Sequence, residues 1–194
     1  KTQLLGVSAF AMLAKGKQSA AYNTYRELVS IPCDREDFAV LNHRFCYAIL
    51  AFLHGDSAIA LSTLEQEIVA KIDSVAMPVR SFKPSCFWYI AMIAYESDDQ
   101  DKALESIRAA KALLDAQADL KHLLDLISEH ETLMQSGVKI NVKLCFEIVL
   151  EIISDGQSMQ RGNDLESENF SDSMRKAIDA DIQCNRFVDL EAVF

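Results

Sequence analysis

The sequence predicts an all-α protein built from stacked antiparallel helix hairpins, with about eight or nine helices in all. Three short polar turns, at Gly16, Gly55 and Asp98, each separate two long apolar or amphipathic runs. Alanine recurs at fixed distances from these turns, and a recurring hairpin with small residues indicates a helical repeat. The three hairpins are predicted over residues 2–30, 34–76 and 84–117 of a helical domain that spans 1–154.

The spacing around the three turns is the main sign of repetition. Small residues there let two helices approach closely, while a larger side chain fills the space between hairpins. Counted from each turn, the matching positions are Ala9, Ala48 and Ala91 at minus seven, Ala21, Ala60 and Ala103 at plus five, and Tyr25, Leu64 and Ile107 at plus nine.

Residues that stop or cap helices set the limits of the hairpins. Pro32 ends the first hairpin, because proline cannot continue a helix. Asp34 is the expected N-cap of the second hairpin, since a carboxylate accepts hydrogen bonds from free helical N–H groups. Pro78 and Pro84 bracket the loop that leads to the third hairpin. Its first helix, from Phe87 to Tyr95, is apolar almost all round.

Two further helical stretches follow the third hairpin. Residues 100–136 contain neither Gly nor Pro, and we expect two helices with a break near Asp119, since one helix of that length is unusual. At the start of residues 138–153, apolar and polar residues alternate as they do in a strand. The stripe of Lys139, Lys143, Glu147 and Glu151 at a spacing of four favours a helix instead.

The C-terminal part divides into a linker and a last amphipathic segment. Residues 155–169 are polar and acidic, as is typical of a linker. Residues 170–194 place apolar side chains on one helical face, which predicts an amphipathic helix. An isolated helix of this length is marginal in water, so we expect it to dock on the groove of its own chain or of a second copy. The latter predicts self-association.

The hairpin pattern resembles that of the tetratricopeptide repeat, over roughly residues 2–115. The turns are 39 and 43 residues apart, against 34 in that family, which fits a divergent member with long helices. The resemblance implies a right-handed α-solenoid whose first helices line a concave groove. It assigns to that groove Gly6, Leu13, Asn42 and the partner-binding candidates Phe10, Phe45, Ile49, Phe52, Trp88, Met92 and Tyr95.

These groove candidates are mostly aromatic or aliphatic. An open apolar patch of that size is an aggregation liability, so a partner or another segment is expected to cover it. The other interpretation is that these side chains are simply core. Both interpretations stay open at this point.

Charge and composition exclude several classes of partner. Residues 1–95 hold nine basic and eight acidic side chains, and residues 96–194 hold ten and twenty-one. An acidic half repels a phosphate backbone, so nucleic acid is not expected as a partner. No apolar run is long enough to cross a bilayer. Five scattered cysteines without a CxxC pair predict a reducing, cytoplasmic location.

The sequence contains no pattern typical of catalysis, a cofactor or a metal. His43 and Cys46 lie three residues apart, but a zinc site needs about four ligands. Asp98, Asp99 and Asp101 lack the glycine and the closing glutamate of a calcium loop, and helix capping explains them better. We therefore predict no catalytic residues and no cofactor.

Two classes of function rank highest. The first is an adaptor or scaffold module that binds a peptide or amphipathic helix of a partner protein in the apolar groove. The second is a structural subunit with a permanent helical interface in a larger assembly. An all-helical enzyme with a dispersed site ranks third. Because the chain begins with Lys1, we expect it to be part of a longer protein.

Overall fold

A computed structural model describes residues 2–33, 36–76 and 80–154, and every regular element within them is helical. The prediction of an all-α protein with about eight or nine helices is confirmed for this part of the chain. The predicted linker (155–169) and C-terminal helix (170–194) lie outside the described residues. The helices are α1 (Thr2–Leu13), α2 (Gln18–Val29), α3 (Phe38–Leu53), α4 (Ser57–Ser62), α5 (Phe82–Glu96), α6 (Gln100–Leu114), α7 (Lys121–Gln135) and α8 (Val142–Ser154).

The three predicted turns have the same backbone geometry. Gly16, Gly55 and Asp98 all adopt the left-handed conformation, with φ of 67°, 90° and 59°. In each turn the N–H of the following residue donates to the carbonyl oxygen five positions back, at 2.9 Å. This is the hydrogen bond of a Schellman motif, which satisfies a free carbonyl at the end of a helix. Gly137, between α7 and α8, repeats this geometry.

The repeated small residues are buried, as the spacing predicts. Ala9, Ala48 and Ala91 have no exposed surface, nor have Ala21, Ala60 and Ala103. The larger residues at plus nine (Tyr25, Leu64 and Ile107) are also fully buried. From α1 to α7, each helix packs against the next one in the chain. The right-handed superhelix implied by the tetratricopeptide resemblance stays a prediction.

Two predicted helix starts need correction. α3 begins at Phe38, and its N-cap is Asp37, whose carboxylate accepts from the Val40 N–H at 2.9 Å; Asp34 lies outside the described residues. α5 begins at Phe82, so Pro84 lies inside the first turn of the helix and not in the loop. Proline is tolerated there, because the first N–H groups of a helix have no partner within it.

The second helix of the second hairpin changes its winding. α4 continues as a π-helix over Thr63–Val69 and then as a 3₁₀ turn over Ile72–Ser74. Ala60, Leu64, Ile68 and Ile72 are buried at a strict spacing of four. On an α-helix that spacing drifts by about 40° per step, and the wider π segment, with i→i+5 hydrogen bonds, offsets part of that drift.

A partly buried arginine joins this π segment to the loop before α3. Arg44, with a side chain only 12% exposed, pairs with Glu36 at 2.6 Å and donates to the Glu67 carbonyl oxygen at 3.2 Å. The hydrogen bond from Arg44 lowers the pKa of the Glu36 carboxyl, with a smaller favourable contribution from the charge of Lys71. Arg44 therefore connects α3 to the loop before it, through Glu36, and to the π segment, through Glu67.

The predicted break after the third hairpin is confirmed. α6 ends at Leu114, and a 3₁₀ turn over Ala118–Leu120 precedes α7. The last described helix then departs from the hairpin order. α8 packs against α1, α3 and α5, which are the first helices of the three hairpins. This crossing places α8 over the predicted groove.

Candidate partner-binding groove

The groove, formed by α1, α3 and α5, is filled by α8. Five of its seven candidate residues are buried, and Phe10 and Tyr95 are half-buried. The buried ones are Phe45, Ile49, Phe52, Trp88 and Met92. Phe52 contacts the ring of Phe146 on α8, while Trp88 packs against His130 of α7. The five buried candidates are thus covered by other parts of their own chain rather than open to water.

Phe146 of α8 is the aromatic anchor of this contact. Its ring centroid lies 4.5 Å from that of Phe52 on α3 and 5.1 Å from that of Tyr89 on α5. Tyr89 also meets the ring of Phe45 edge-on at 5.0 Å. Aromatic pairs at these distances add about 0.5–1.5 kcal/mol each beyond the burial of their surface. The four rings join α3, α5 and α8.

Tyr89 is the groove residue that sequence reasoning missed. The repeat alignment places Trp88, and not Tyr89, on the groove face. In the structure, Trp88 packs against His130 of α7, with ring centroids 5.4 Å apart. A helix that is apolar all round gives no sign of which side chain faces which neighbour, and α5 is such a helix.

The side chains of α8 alternate between the groove and the surface as a bound amphipathic helix requires. Its buried residues are separated alternately by three positions and by one, as on one face of an α-helix. The polar residues Lys143 and Glu147 are exposed on the other side. The helical interpretation of residues 138–153 is thus confirmed, with a start at residue 142. The buried residues are Val142, Cys145, Phe146, Val149 and Leu150.

Tyr95 holds the start of the crossing segment in place. Its hydroxyl donates to the carbonyl oxygen of Val138 at 2.9 Å. Partial burial raises the pKa of Tyr95, and the negative charge of Asp98 adds to this. Asn141 then caps α8, because its side-chain oxygen accepts from the Leu144 N–H at 3.0 Å. The chain therefore enters the groove from the C-terminal end of α5.

The buried cysteines around the groove are poor nucleophiles. Burial raises the pKa of the Cys46 thiol to about 11 and that of Cys86 further still. A thiol is reactive only as the thiolate, so these residues act as small apolar side chains. Within the described ranges, no group of three or more His, Cys, Asp or Glu side chains is arranged to hold a metal ion.

His43, which lies three residues before Cys46, and His130 of α7 both have structural surroundings. His43 packs beside Gly6 of α1, where an added Cβ atom would lie 2.7 Å from the imidazole ring. Burial lowers the pKa of His43. His130 is fully buried, and its Nδ1 lies 2.9 Å from the Leu126 carbonyl oxygen.

None of the described helices combines the length and apolar character that a membrane span requires.

A scan against protein-family models and searches of curated proteins and of solved structures found no match to this chain. The resemblance to the tetratricopeptide repeat accordingly stays a prediction.

Proposed function

We propose that the protein is an interaction module that binds an amphipathic helix of a partner protein in the groove between α1, α3 and α5. The observation that carries this proposal is α8, which already occupies that groove as a helix. A surface that accepts the apolar face of one amphipathic helix has the shape and chemistry to accept another. The partner helix is expected to share the pattern of α8.

The anchors of α8 define that pattern. Val142, Phe146 and Val149 are spaced by four and three residues, which is the i, i+4, i+7 arrangement of helix-in-groove recognition. Phe146 is the central anchor, between Phe52 and Tyr89. A partner needs an aromatic side chain at its central position and charged residues on its outer face, where α8 has Lys143 and Glu147.

Binding by this route requires the partner to replace α8. Because α8 is part of the same chain, its effective concentration at the groove is high, and a partner in solution competes against it. The apparent affinity falls by the fraction of molecules in which the groove is open. Weakening α8 without changing the groove should therefore increase the affinity for an external helix.

The test uses the full chain and a fluorescent peptide with the sequence of residues 141–154. Phe146→Ala in the protein weakens the resident helix, while the peptide keeps its phenylalanine. Fluorescence anisotropy should show binding to the variant at least tenfold tighter than to the parent chain, which corresponds to about 1.4 kcal/mol. Glu147→Ala, at an exposed position on the same helix, is the matched control and should behave like the parent.

Phe146→Ala removes a fully buried ring and costs about 3–5 kcal/mol, so Val149→Ala is a milder second variant. Circular dichroism establishes which variants keep their fold. If folded variants with a weakened α8 bind the peptide no better than the Glu147→Ala control, the groove does not exchange helices and the proposal is wrong.

A second candidate function is a structural subunit with a permanent interface. It is favoured by the closed groove and by an apolar outer face on α1, formed by Leu4, Val7 and Ala11. Light scattering separates the two candidates. A module should be a monomer alone, whereas a subunit should self-associate or aggregate. In either case Cys46 and Cys86, buried as thiols, support a reducing cytoplasmic setting.

A further inference from the structure

The outer face of α1 carries the two most exposed large apolar side chains in the described part of the chain. Leu4 and Val7 are 80% and 71% exposed, and the third large apolar side chain that is exposed, Ile59 of α4, reaches 40%. Leu4, Val7 and Ala11 are three and four residues apart, which places them on one side of the helix. Terminal helices of stacked hairpins usually carry a polar outer face, and α1 does not.

We propose that residues 170–194 of the same chain dock on the outer face of α1. That segment repeats apolar side chains every four residues at Phe170, Met174, Ile178 and Ile182. A helix with this pattern presents them on one face and is marginal in water unless it packs. The groove, which was the site first expected for this segment, is held by α8. The proposal is independent of helix exchange in the groove.

Charge favours this site over the other end of the molecule. Residues 1–30 carry four Lys or Arg and one Glu, whereas the docking segment, residues 170–194, carries five acidic and three basic side chains. Lys15 and Lys17 are exposed at the C-terminal end of α1. By contrast, residues 100–135, which include α6 and α7, carry seven acidic and four basic side chains and repel an acidic segment.

The chain is long enough to make the connection. α8 packs directly against α1 and, with 13 residues, is about 20 Å long. A helix is about 10 Å across, so the end of α8 lies within about 30 Å of the outer face of α1. The 15 residues from 155 to 169 span up to about 50 Å when extended. Docking within one chain is therefore sterically possible.

The test is amide hydrogen exchange on the full chain, read by mass spectrometry over residues 170–194, with Val7→Asp as the variant. The aspartate places a charge in the apolar contact and opposite an acidic segment. Because Val7 is largely exposed, the fold of α1 should tolerate it. We expect protection in the parent chain and at least tenfold faster exchange in the variant. Ile59→Asp, the matched exposed position on α4, should leave the protection unchanged.

A second variant, Lys15→Glu combined with Lys17→Glu, probes the charge contribution without touching the apolar face. It should also speed exchange of the segment, and added salt should speed it in the parent by weakening the same attraction. The proposal is overturned by absence of protection in the parent, or by equal effects of Val7→Asp and Ile59→Asp. It is overturned too if light scattering shows a dimer that Val7→Asp converts to monomer, since the face then pairs two copies.

Discussion

Asp98 is the one described residue other than glycine with a positive φ, and Asp98→Gly should stabilise the protein. At the matching position of the first two hairpins the chain has Gly16 and Gly55. A left-handed conformation costs an L-residue about 1–2 kcal/mol, less for Asp than for most, whereas glycine adopts it freely. The substitution also removes a negative charge from the C-terminal end of α5, where it is unfavourable by about 0.3–1 kcal/mol.

Opposing this gain, glycine makes the unfolded chain more flexible, at a cost of about 0.4–1 kcal/mol. The net expectation is a gain of about 1 kcal/mol, which raises the melting temperature by about 2–4 °C for a chain of this size. Asp98→Asn separates the two contributions. Asparagine keeps the tolerance for the left-handed conformation but removes the charge, so it should give only part of the gain.

The assay is urea unfolding followed by circular dichroism, with the midpoints compared at equal slope. Gly16→Ala is the reciprocal change. No atom lies within 4 Å of a Cβ added at Gly16, so its expected loss of about 1 kcal/mol comes from the backbone alone. A destabilised Asp98→Gly together with a neutral Gly16→Ala would refute the equivalence of the three turns.

Three further predictions concern the helix crossing at Ala91, the Glu36–Arg44 ion pair and the buried Trp88. Ala91→Leu should overpack the crossing of α5 and cost about 1–3 kcal/mol in urea unfolding, while Ala58→Leu, at an exposed position, should be nearly neutral. The pKa of Glu36 is lower in the folded protein than in the unfolded chain. Its carboxylate therefore stabilises the fold above the ordinary glutamate pKa, and this stability is lost as the pH falls through the pKa of the folded protein. Glu36→Gln and Arg44→Met should each make the melting temperature less sensitive to acid. Trp88→Ala should cost about 3–5 kcal/mol, and loss of binding without loss of stability would contradict its place in the core.

The hairpins could be predicted from the sequence because their determinants are local. A left-handed turn needs Gly, or Asp as a substitute, and close helix crossings need Ala at fixed distances from that turn. The break near Asp119 followed from the length limit on a single helix.

The groove could be predicted only in part. Its apolar side chains are evident in the sequence, which offers residues 170–194 as a covering segment. The structure packs α8 against α1, α3 and α5, and residues 170–194 lie outside the described part of the chain. The choice depends on long-range packing among α1, α3, α5 and α8, and periodicity within α8 reports only that it has an apolar face. For the same reason Trp88 was assigned to the groove and Tyr89 was not.

The most direct test of helix exchange is a distance between α8 and the rest of the chain while a helix is bound. Spin labels are placed at Glu147 and Glu105, both exposed, with Cys33 and Cys184 replaced by serine. Pulsed electron paramagnetic resonance should give one narrow distance in the chain alone. Saturation with the peptide of residues 141–154 should add a second, longer and broader distance as α8 leaves the groove. If the peptide binds while the single narrow distance persists, it occupies another surface and the groove is not the partner-binding site.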